Sequence, residues 1–533
     1  MPRNPLQNDD ASLYALAAKN AVIHNQWLAQ FVSPGDSTSF LDKPPLGIWL
    51  LAWPMKLLGV SELTVHIPNV LYFTLLLLIL YLTLSRLAAK KVAFYSTLIT
   101  ATSLGLVVYS RAPKLDILLP LFVLTAHLSL YAFLKRNNTS YLIPFTLSLA
   151  AGFLIKSGFA LILPALTILF LLIFSPPARE KLFKVRITHY ALLVSFLLLI
   201  VAGVLALQAI PLGEQWLPYL RSITIQSKYN TSYLGFGCYY SIIGFLLLIL
   251  FPWSALWLSS VKVVNPYPPS PSPLLRGKGR EGLGVKVRTL SLSSFCSLWF
   301  WSNFLFLLFF YRQSDLRTFT VFVPPLAILA GIRLASLLKQ RRGFLAPRLW
   351  NAFFLFLFSA TLVVFLLKPQ NADGFDLSAA LVPLGILVAS LAALQLFLWR
   401  PDGRKLLATF ALAALGYSVL FWNSQTLVRA FNPDLNWPKT ITRYRAEGNK
   451  FFIYRPPDRK LFFSPDLFYV DFMAGPADKY FWDGDKLQKN IVNSQAILLS
   501  DTESLNKLKL TSYVVLARDN YSTLALTEAI RKP

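Results

Sequence analysis

The sequence is poor in cysteine, histidine and charged residues. It contains 2 cysteines and 4 histidines in 533 residues, and 14% of its residues are charged. Two cysteines cannot form the disulfide framework of a small secreted domain, and the four histidines show no spacing typical of a metal site. Soluble domains carry roughly 25% charged residues, so this composition excludes an ordinary soluble protein. A hydrophobic share of 55% instead indicates a membrane protein.

Long apolar runs recur along most of the chain. A helix that crosses a bilayer needs ~20 apolar residues, and these runs lack the alternation of a membrane β-barrel. The sequence therefore predicts an all-α polytopic membrane protein with about twelve transmembrane helices. The predicted spans are residues 64–88, 91–111, 115–135, 140–156, 157–175, 187–208, 239–261, 291–311, 319–338, 349–367, 378–399 and 404–425.

The basic residues are distributed unevenly between the loops. When successive loops are assigned to alternate sides of the bilayer, about 22 lysines and arginines fall on one side and about 8 on the other. Cytoplasmic loops are enriched in Lys and Arg, so the richer side is predicted to be cytoplasmic and both ends of the chain to lie outside. The net charge of +26 then reflects membrane topology, and no nucleic-acid partner is predicted.

Composition predicts three regions. Residues 1–63 form an extracytoplasmic segment, in which residues 11–28 repeat apolar side chains as a helix lying on the bilayer surface does. A second short helix begins at Pro44-Pro45, because proline is tolerated in a first turn. Residues 64–428 form the transmembrane domain, with a low-complexity, disordered cytoplasmic insert near 264–288. Residues 429–533 form a small extracytoplasmic α/β domain, whose predicted strands are NKFFIYRPP, QAILLS and SYVVLARD.

Ionisable residues collect at the predicted outer ends of the apolar runs. Taken singly, the acids can be helix caps or members of surface ion pairs, and the cations can mark the ends of spans. Taken together, cations at separate outer junctions with acids between them predict an anion site beside a carboxylate, and a lipid phosphate is the natural anion. The residues concerned are Asp9, Asp10, Tyr14, Asp42, Lys43, Arg111, Asp116, Lys156 and Arg317.

The first part of the chain resembles a known family. The segments DASLYALAAKN and FLDKPPLGIWLLAWPMKLLGVSELTVHIP resemble the start of the polyprenyl-phosphate-dependent glycosyltransferases with the GT-C fold. The group concerned includes the bacterial aminoarabinose transferase of lipid A and the protein O-mannosyltransferase relatives. The acid-Lys-Pro-Pro-Leu-x-x-Trp motif is the most specific part. RAPKLDILL, FLIKSGFALILP and LRTFTVFVPPLAILAG extend the resemblance over most of the membrane region.

This resemblance implies an enzyme that transfers a hexose or pentose, with inversion, from a polyprenyl-phosphate carrier to an extracytoplasmic lipid, glycan or protein. It implies a location in the bacterial inner membrane, with the active site on the periplasmic side. By position, Asp10 matches the family's catalytic aspartate and would act as base. The donor phosphate would be bound by Lys43, Arg111 and Lys156. The acceptor side and the cavity would be lined by Asp9, Tyr14, Asp42, Asp116 and Arg317.

The sequence also departs from the family pattern. Ala11 stands where the family has a glutamate, and His66 stands where it has an arginine. Relatives have a transmembrane helix before the aspartate, so the chain is expected to be truncated or to begin at a misassigned start codon. The resemblance requires no nucleotide, and no cofactor is predicted, although a divalent cation at Asp42 stays open. Two alternatives also stay open: a transporter or flippase for a lipid-linked anion, and an inactive relative that serves as an assembly partner.

Overall fold

A computed structural model of the chain shows a mostly helical protein with one small β-sheet. It describes residues 9–30, 43–110, 113–156, 158–224, 237–261, 290–310, 316–340, 342–367, 377–402, 405–406, 409, 412, 437–454, 478–481, 484–491, 496–501, 505, 508, 513–518 and 522–527. The predicted insert near 264–288 and most of the predicted span 404–425 lie outside these residues.

The helical region begins with nine helices that contain the candidate site. They are α1 (Asp9–Ile23), α2 (Leu46–Leu58), α3 (Glu62–Leu87), α4 (Lys90–Ala101), α5 (Leu104–Tyr109), α6 (Leu118–Arg136), α7 (Leu142–Lys156), α8 (Phe159–Phe174) and α9 (Pro176–Lys184). Short 3₁₀ turns lie at Thr139–Tyr141, Gly213–Gln215 and Leu316–Phe322.

Eight further helices complete the described part of the bundle. They are α10 (Ile187–Leu212), α11 (Trp216–Thr224), α12 (Gly237–Ile249), α13 (Ser254–Val261), α14 (Leu292–Phe310), α15 (Val323–Gln340), α16 (Leu345–Leu367) and α17 (Leu377–Trp399).

Helix length and composition make the chain a multi-pass membrane protein. Among the described residues, 6 helices are long and apolar enough to cross a membrane, and the number rises to 8 if each of two bent pairs is one span. The count of about twelve therefore stays a prediction.

Two predicted spans are broken, which corrects the sequence analysis. Residues 91–111 form α4 and α5 with a break at Thr102 and Ser103, where the Thr102 hydroxyl donates to the Leu98 carbonyl at 2.9 Å. A Ser or Thr hydroxyl that bonds to a carbonyl of the preceding turn competes with the backbone hydrogen bonds of the helix and often bends it. Residues 239–261 form α12 and α13, which are bent by 108°. Pro252 lies at that break and removes a backbone donor.

Helix α1, predicted to lie on the bilayer surface, is largely buried against other parts of the chain. Its side chains from Ala11 to Ala21 are buried apart from Leu13 and Lys19, which are half-buried, and α1 packs against α2. Alanine side chains let two helix backbones approach closely. The alanine-rich run thus forms a buried helix, and its position relative to the bilayer stays a prediction.

Helix α6 is the centre of the site-bearing part of the bundle. Its side chains from Leu118 to Leu134 are almost all buried, and α3, α7 and α8 pack around it. A helix that is apolar on all sides is buried on all sides. Helix α3 begins in a capping box, in which Ser61 and Thr64 bond to each other's backbone amides.

The last part of the chain contains a five-stranded mixed sheet. Its strands are β1 (Lys450–Tyr454), β2 (Lys479–Phe481), β3 (Ala496–Asp501), β4 (Tyr513–Arg518) and β5 (Ser522–Thr527). The spatial order is β2-β1-β3-β5-β4. β1 is parallel to β2 and β3, whereas β5 is antiparallel to β3 and β4. The strands β1, β3 and β4 lie in the segments from which strands were predicted.

Alternating side chains of β1 face two separate small cores. Phe451 and Ile453 pack with Ile441 of the helix Trp437–Ala446, whereas Phe452 packs with Leu487 of the helix Gly484–Ile491. Successive side chains of a strand point to opposite faces, so each face of the sheet has its own helix. The boundary at 429 and the extracytoplasmic position stay predictions.

Candidate functional site

The turn before α6 carries Asp116, the carboxylate around which the candidate site is built. Two buried side chains hold the backbone of this turn. Asn69 of α3 donates from Nδ2 to the Lys114 carbonyl at 2.9 Å, and the Thr320 hydroxyl donates to the Asp116 carbonyl at 3.4 Å. Buried hydrogen-bond networks restrict the conformations that a chain can adopt. The Asp116 carboxylate is therefore presented from a constrained backbone.

Asp116 forms an ion pair with Lys156. The Lys156 Nζ lies 2.6 Å from Asp116 Oδ1, and the two side chains are 26% and 4% exposed. Burying a carboxylate without a partner costs desolvation free energy. The ammonium group of Lys156 offsets this cost for Asp116. The partial exposure of Lys156 leaves this cation accessible from one side.

The position of Lys156 depends on the close packing of α7 against α8. Lys156 is the last residue of α7, one turn beyond Gly152. A Cβ atom on Gly152 would lie 2.6 Å from the Cβ of Ala160, so the glycine is needed for this approach. The two helices thereby hold the lysine over the Asp116 turn.

The Lys43-Pro44-Pro45 segment lies next to the Asp116 turn. Lys43 is buried, and the segment leads into α2. A Cβ atom on Gly47 would lie 2.7 Å from Leu115 Cδ2, which shows how closely α2 approaches the residue before Asp116. Lys43 lies four residues before Gly47, so the structure brings the segment that carries Lys43 near the turn that contains Asp116.

A set of hydrogen bonds ties the Lys43 segment to distant parts of the chain. The Tyr219 hydroxyl donates to the Lys43 carbonyl at 3.0 Å and lies 3.1 Å from Gln208 Oε1. Gln208 in turn donates from Nε2 to the Leu28 carbonyl at 2.8 Å. Gln30 Nε2 donates to the Pro45 carbonyl at 3.0 Å. Helices α10 and α11 therefore hold the segment in place.

The predicted residues at the start of the chain lie at one end of α1. Asp9 and Asp10 are its first two residues, and the structure does not describe their side chains. Tyr14 lies one turn further on and is buried. Since α1 packs on α2, the helix that carries Asp10 in its first turn adjoins the helix that follows Lys43.

Three other predicted residues receive less structural description. Asp42 and Arg111 lie outside the described residues. Arg317 belongs to the 3₁₀ turn Leu316–Phe322, and its side chain is not described. Thr320 of the same turn bonds to the Asp116 carbonyl, so the backbone at Arg317 lies near the site.

The structure adds residues to which the sequence analysis gave no role in the site. Asn69, Thr320, Gln208 and Tyr219 are buried and hold site backbone. Lys114 is also buried, and its Nζ lies 5.9 Å from the centre of the Tyr109 ring. A buried amide within an apolar span is uncommon and often functional. Asn69 and Gln208 could therefore have been identified from the sequence as candidate site residues. Tyr219 could not.

The described residues offer no ready-made metal site. Among them, no group of three or more His, Cys, Asp or Glu side chains could hold a metal ion. Asp42, the residue for which a divalent cation stays open, is outside that set.

The geometry supports the binding of an anion more than other chemistry. Lys156 pairs with the Asp116 carboxylate, Lys114 precedes Asp116 in the same turn, and Lys43 lies on the segment that leads into α2, which packs on Leu115. Charged groups in a partly dry site interact more strongly than they do in water, and lysine is a common ligand of phosphate. The described site is thus suited to a phosphate at the end of apolar helices.

A family model matches the part of the chain that contains the candidate site. Residues 42–205 match the family model described as dolichyl-phosphate-mannose-protein mannosyltransferase. These residues include Lys43, Asp116 and Lys156. No curated protein sequence matches the chain significantly.

Solved structures extend the likeness to nearly the whole chain. The crystal structure of ArnT from Cupriavidus metallidurans bound to undecaprenyl phosphate matches 98% of this chain and 94% of its own, with a TM-score of 0.73 and 16% sequence identity. The same protein in the apo state matches with a TM-score of 0.71, covering 98% of this chain and 93% of its own, also at 16% identity. The chain therefore has the ArnT fold, and the resemblance predicted from the sequence is confirmed by the family model and by the fold.

Proposed function

We propose that this chain, which has the fold of ArnT, is a membrane glycosyltransferase that takes a sugar from a polyprenyl-phosphate carrier. One observation supports this most strongly: Lys156 pairs with the buried carboxylate of Asp116, and the helix that follows Lys43 packs against Leu115, the residue before Asp116. A lipid phosphate needs both a cationic site and a lipid-facing surface. A relative with this fold has been crystallised with undecaprenyl phosphate.

The donor phosphate is bound by Lys43, Arg111 and Lys156. Lys156 is the best described of these, because its side chain is 26% exposed and is paired with Asp116. Lysines lie in the segments near Asp116, and their like charges repel one another. A bound phosphate supplies negative charge and so stabilises the charged form of these lysines. Asp116 therefore acts as the group that positions Lys156.

Transfer is an inverting displacement at the anomeric carbon. The acceptor hydroxyl oxygen forms a bond to this carbon while the bond from the carbon to the phosphate oxygen breaks. Polyprenyl phosphate leaves with the electron pair, and Asp10 takes the proton of the acceptor hydroxyl. Fixed cations around the leaving phosphate stabilise the charge that develops on it, which is often the largest catalytic contribution.

The acceptor is an extracytoplasmic lipid, glycan or protein. The sugar is already activated by its link to the lipid, so no nucleotide takes part in the step. Tyr14, Asp9, Asp42 and Arg317 are the residues assigned to the acceptor side, and Tyr14 is the one whose buried side chain the structure describes.

Transfer can be tested with purified protein in lipid nanodiscs. Polyprenyl phosphates that carry different radiolabelled sugars are supplied with a cell-envelope extract as the source of acceptor. We expect one donor to lose its label to the extract. Asp10→Asn should lower this rate by about 100-fold to 10,000-fold, the usual contribution of a general base. Lys156→Met should lower it by about 100-fold or more.

Lys90→Met provides the matched control, because Lys90 is an exposed lysine at the far end of α3 and α4. Its rate should equal that of the unmodified protein. The same protein is also reconstituted into sealed vesicles, where movement of labelled carrier across the bilayer without transfer would overturn the proposal in favour of a flippase. Absence of both activities with all donors would also overturn it and would favour an assembly partner.

A further inference from the structure

Three segments of the chain meet at the end of the bundle opposite Asp116. Helix α6 has 19 residues, so its two ends lie about 27 Å apart at ~1.5 Å per residue. Asp116 precedes the first end, and Arg136 is the last residue of the second. We call this second end the basic end surface and define it by residues 86–91, 135–136 and 176–187.

Hydrogen bonds from cations to helix carbonyls join the three segments. Lys135 donates from Nζ to the Leu87 carbonyl, and Arg136 donates from Nη2 to the Arg86 carbonyl at 3.1 Å. Lys181 donates from Nζ to the Leu134 carbonyl at 2.5 Å. The last carbonyls of a helix lack partners within it and carry partial negative charge. These bonds therefore bring the ends of α3, α6 and α9 together.

The basic end surface has a large excess of positive charge. Its cations are Arg86, Lys90, Lys91, Lys135, Arg136, Arg179, Lys181, Lys184 and Arg186, and its one acid is Glu180. Glu180 is paired with Lys184 at 2.5 Å. Arg86, Lys91, Arg179 and Arg186 are exposed, so the excess charge faces outward.

Large apolar side chains are exposed on the same surface. Helix α9 turns away from α8 by 113° and buries Ala178 and Leu182. Phe183 and Ile187 are nevertheless 75% and 80% exposed. A short helix that buries one side and exposes both apolar and basic groups is typical of the membrane interface, where apolar groups enter the acyl region and cations meet phosphates.

We infer that the basic end surface binds the phosphate headgroups of anionic phospholipids. The cations of three segments converge there and provide a site for phosphate, and Phe183 and Ile187 extend beside them toward the acyl chains. Nucleic acid would use the same cations but would leave these two side chains in water. The inference does not depend on the proposed sugar transfer, because the surface lies at the opposite end of α6 from Asp116.

Native mass spectrometry of the full chain in detergent can test this inference. The protein is titrated with phosphatidylglycerol and with phosphatidylcholine of the same acyl chains, and bound lipids are counted. We expect phosphatidylglycerol to bind about 100-fold more tightly. The variant Lys91→Gln/Arg179→Gln/Arg186→Gln should lose this preference, because each surface cation contributes about fivefold to the binding of anionic lipid.

The matched control Lys339→Gln/Arg342→Gln/Lys405→Gln removes three exposed cations elsewhere and should keep the preference. Raising the salt concentration should weaken binding of phosphatidylglycerol to the unmodified protein, which tests the inference without any variant. Equal affinity for the two lipids, or equal loss in both variants, would overturn it. The inference would also be overturned if a labelled oligonucleotide displaced phosphatidylglycerol and bound the unmodified protein but not the triple variant.

Discussion

The hydroxyl of Tyr219 donates to the carbonyl of Lys43 at 3.0 Å, although 176 residues separate them. Both residues are buried. The bond holds the segment that carries the predicted phosphate ligand against α11, and Gln208 of α10 lies on the other side of the hydroxyl. Tyr219 is therefore a positioning residue for Lys43, and its effect should be seen in catalysis as well as in stability.

Tyr219→Phe removes this hydroxyl and keeps the ring. A buried acceptor that loses its donor costs about 1–3 kcal/mol, so we expect a lower melting temperature and a transfer rate reduced by about tenfold. The measurements are thermal unfolding and the rate of transfer from the best donor. The control is Tyr190→Phe, because the Tyr190 hydroxyl donates to the Leu182 carbonyl at 2.8 Å, far from the site. If both variants lose activity equally, Tyr219 has no positioning role.

The Asp116–Lys156 pair should act as one unit. In a double-mutant cycle with Asp116→Asn and Lys156→Met, the double variant should be less destabilised than the sum of the single variants. Neighbours in a shared network couple by about 0.5–3 kcal/mol, and the burial of Asp116 favours the upper half of that range. Denaturant unfolding of the four proteins gives the coupling energy.

The Glu180–Lys184 pair is the natural comparison for this cycle. Its oxygen and nitrogen lie 2.5 Å apart, nearly the distance of the Asp116–Lys156 pair, but its side chains are 64% and 66% exposed. Exposed pairs are screened by water and salt, so its coupling should be several times smaller. Equal coupling in the two cycles would contradict the view that burial makes the Asp116–Lys156 pair strong.

Gly152→Ala should disturb the site through the packing of α7 on α8. The added Cβ would lie 2.6 Å from the Ala160 Cβ, and neither atom can rotate away, so the helices must separate. Overpacking of this kind costs about 1–3 kcal/mol, and the shift moves Lys156 relative to Asp116. We expect lower thermal stability and slower transfer, with recovery of both in Gly152→Ala/Ala160→Gly.

Gly203→Ala is the control for this substitution, because no atom lies within 4 Å of the Cβ it would add. It should leave transfer unchanged and stabilise α10 by up to about 1 kcal/mol. Failure of the Ala160→Gly substitution to restore Gly152→Ala would show that close helix approach is not the cause.

The interior of the bundle contains a polar network whose loss should affect stability alone. His127 of α6 bonds through Nε2 to the Thr167 hydroxyl at 3.0 Å, and this hydroxyl lies 3.2 Å from the Ser302 hydroxyl. His127 also stacks on Trp299 at a ring distance of 4.1 Å. The network joins α6, α8 and α14 in the middle of their lengths.

Thr167→Val keeps the shape of this side chain and removes its hydroxyl. Hydrogen bonds between membrane helices contribute about 0.6 kcal/mol on average and up to about 1.7 kcal/mol, so unfolding should become easier by an amount in this range. The transfer rate per folded molecule should not change. Thr74→Val is the control, since the exposed Thr74 hydroxyl bonds within its own helix to Val70. Equal destabilisation in the two variants would contradict an interhelical role for the network.

Much of the fold could be predicted from the sequence because local rules decide it. The length of an apolar run limits a span, and strand composition predicted β1, β3 and β4. The same rules failed where tertiary contacts changed the outcome. The break between α4 and α5, within a segment predicted to be one span, is accompanied by a bond from Trp253 Nε1 to the Thr102 hydroxyl at 2.9 Å.

The sequence by itself determined which segments are helical, that the chain enters a membrane, and which motif carries Lys43. These properties depend on neighbouring residues and on apolar periodicity. Only the tertiary structure decided that Lys156 pairs with Asp116, that Asn69 holds the turn before α6, and that Tyr219 reaches the Lys43 carbonyl. Such contacts join residues 40 to 176 positions apart, and they depend on which helices pack together, which no local pattern specifies.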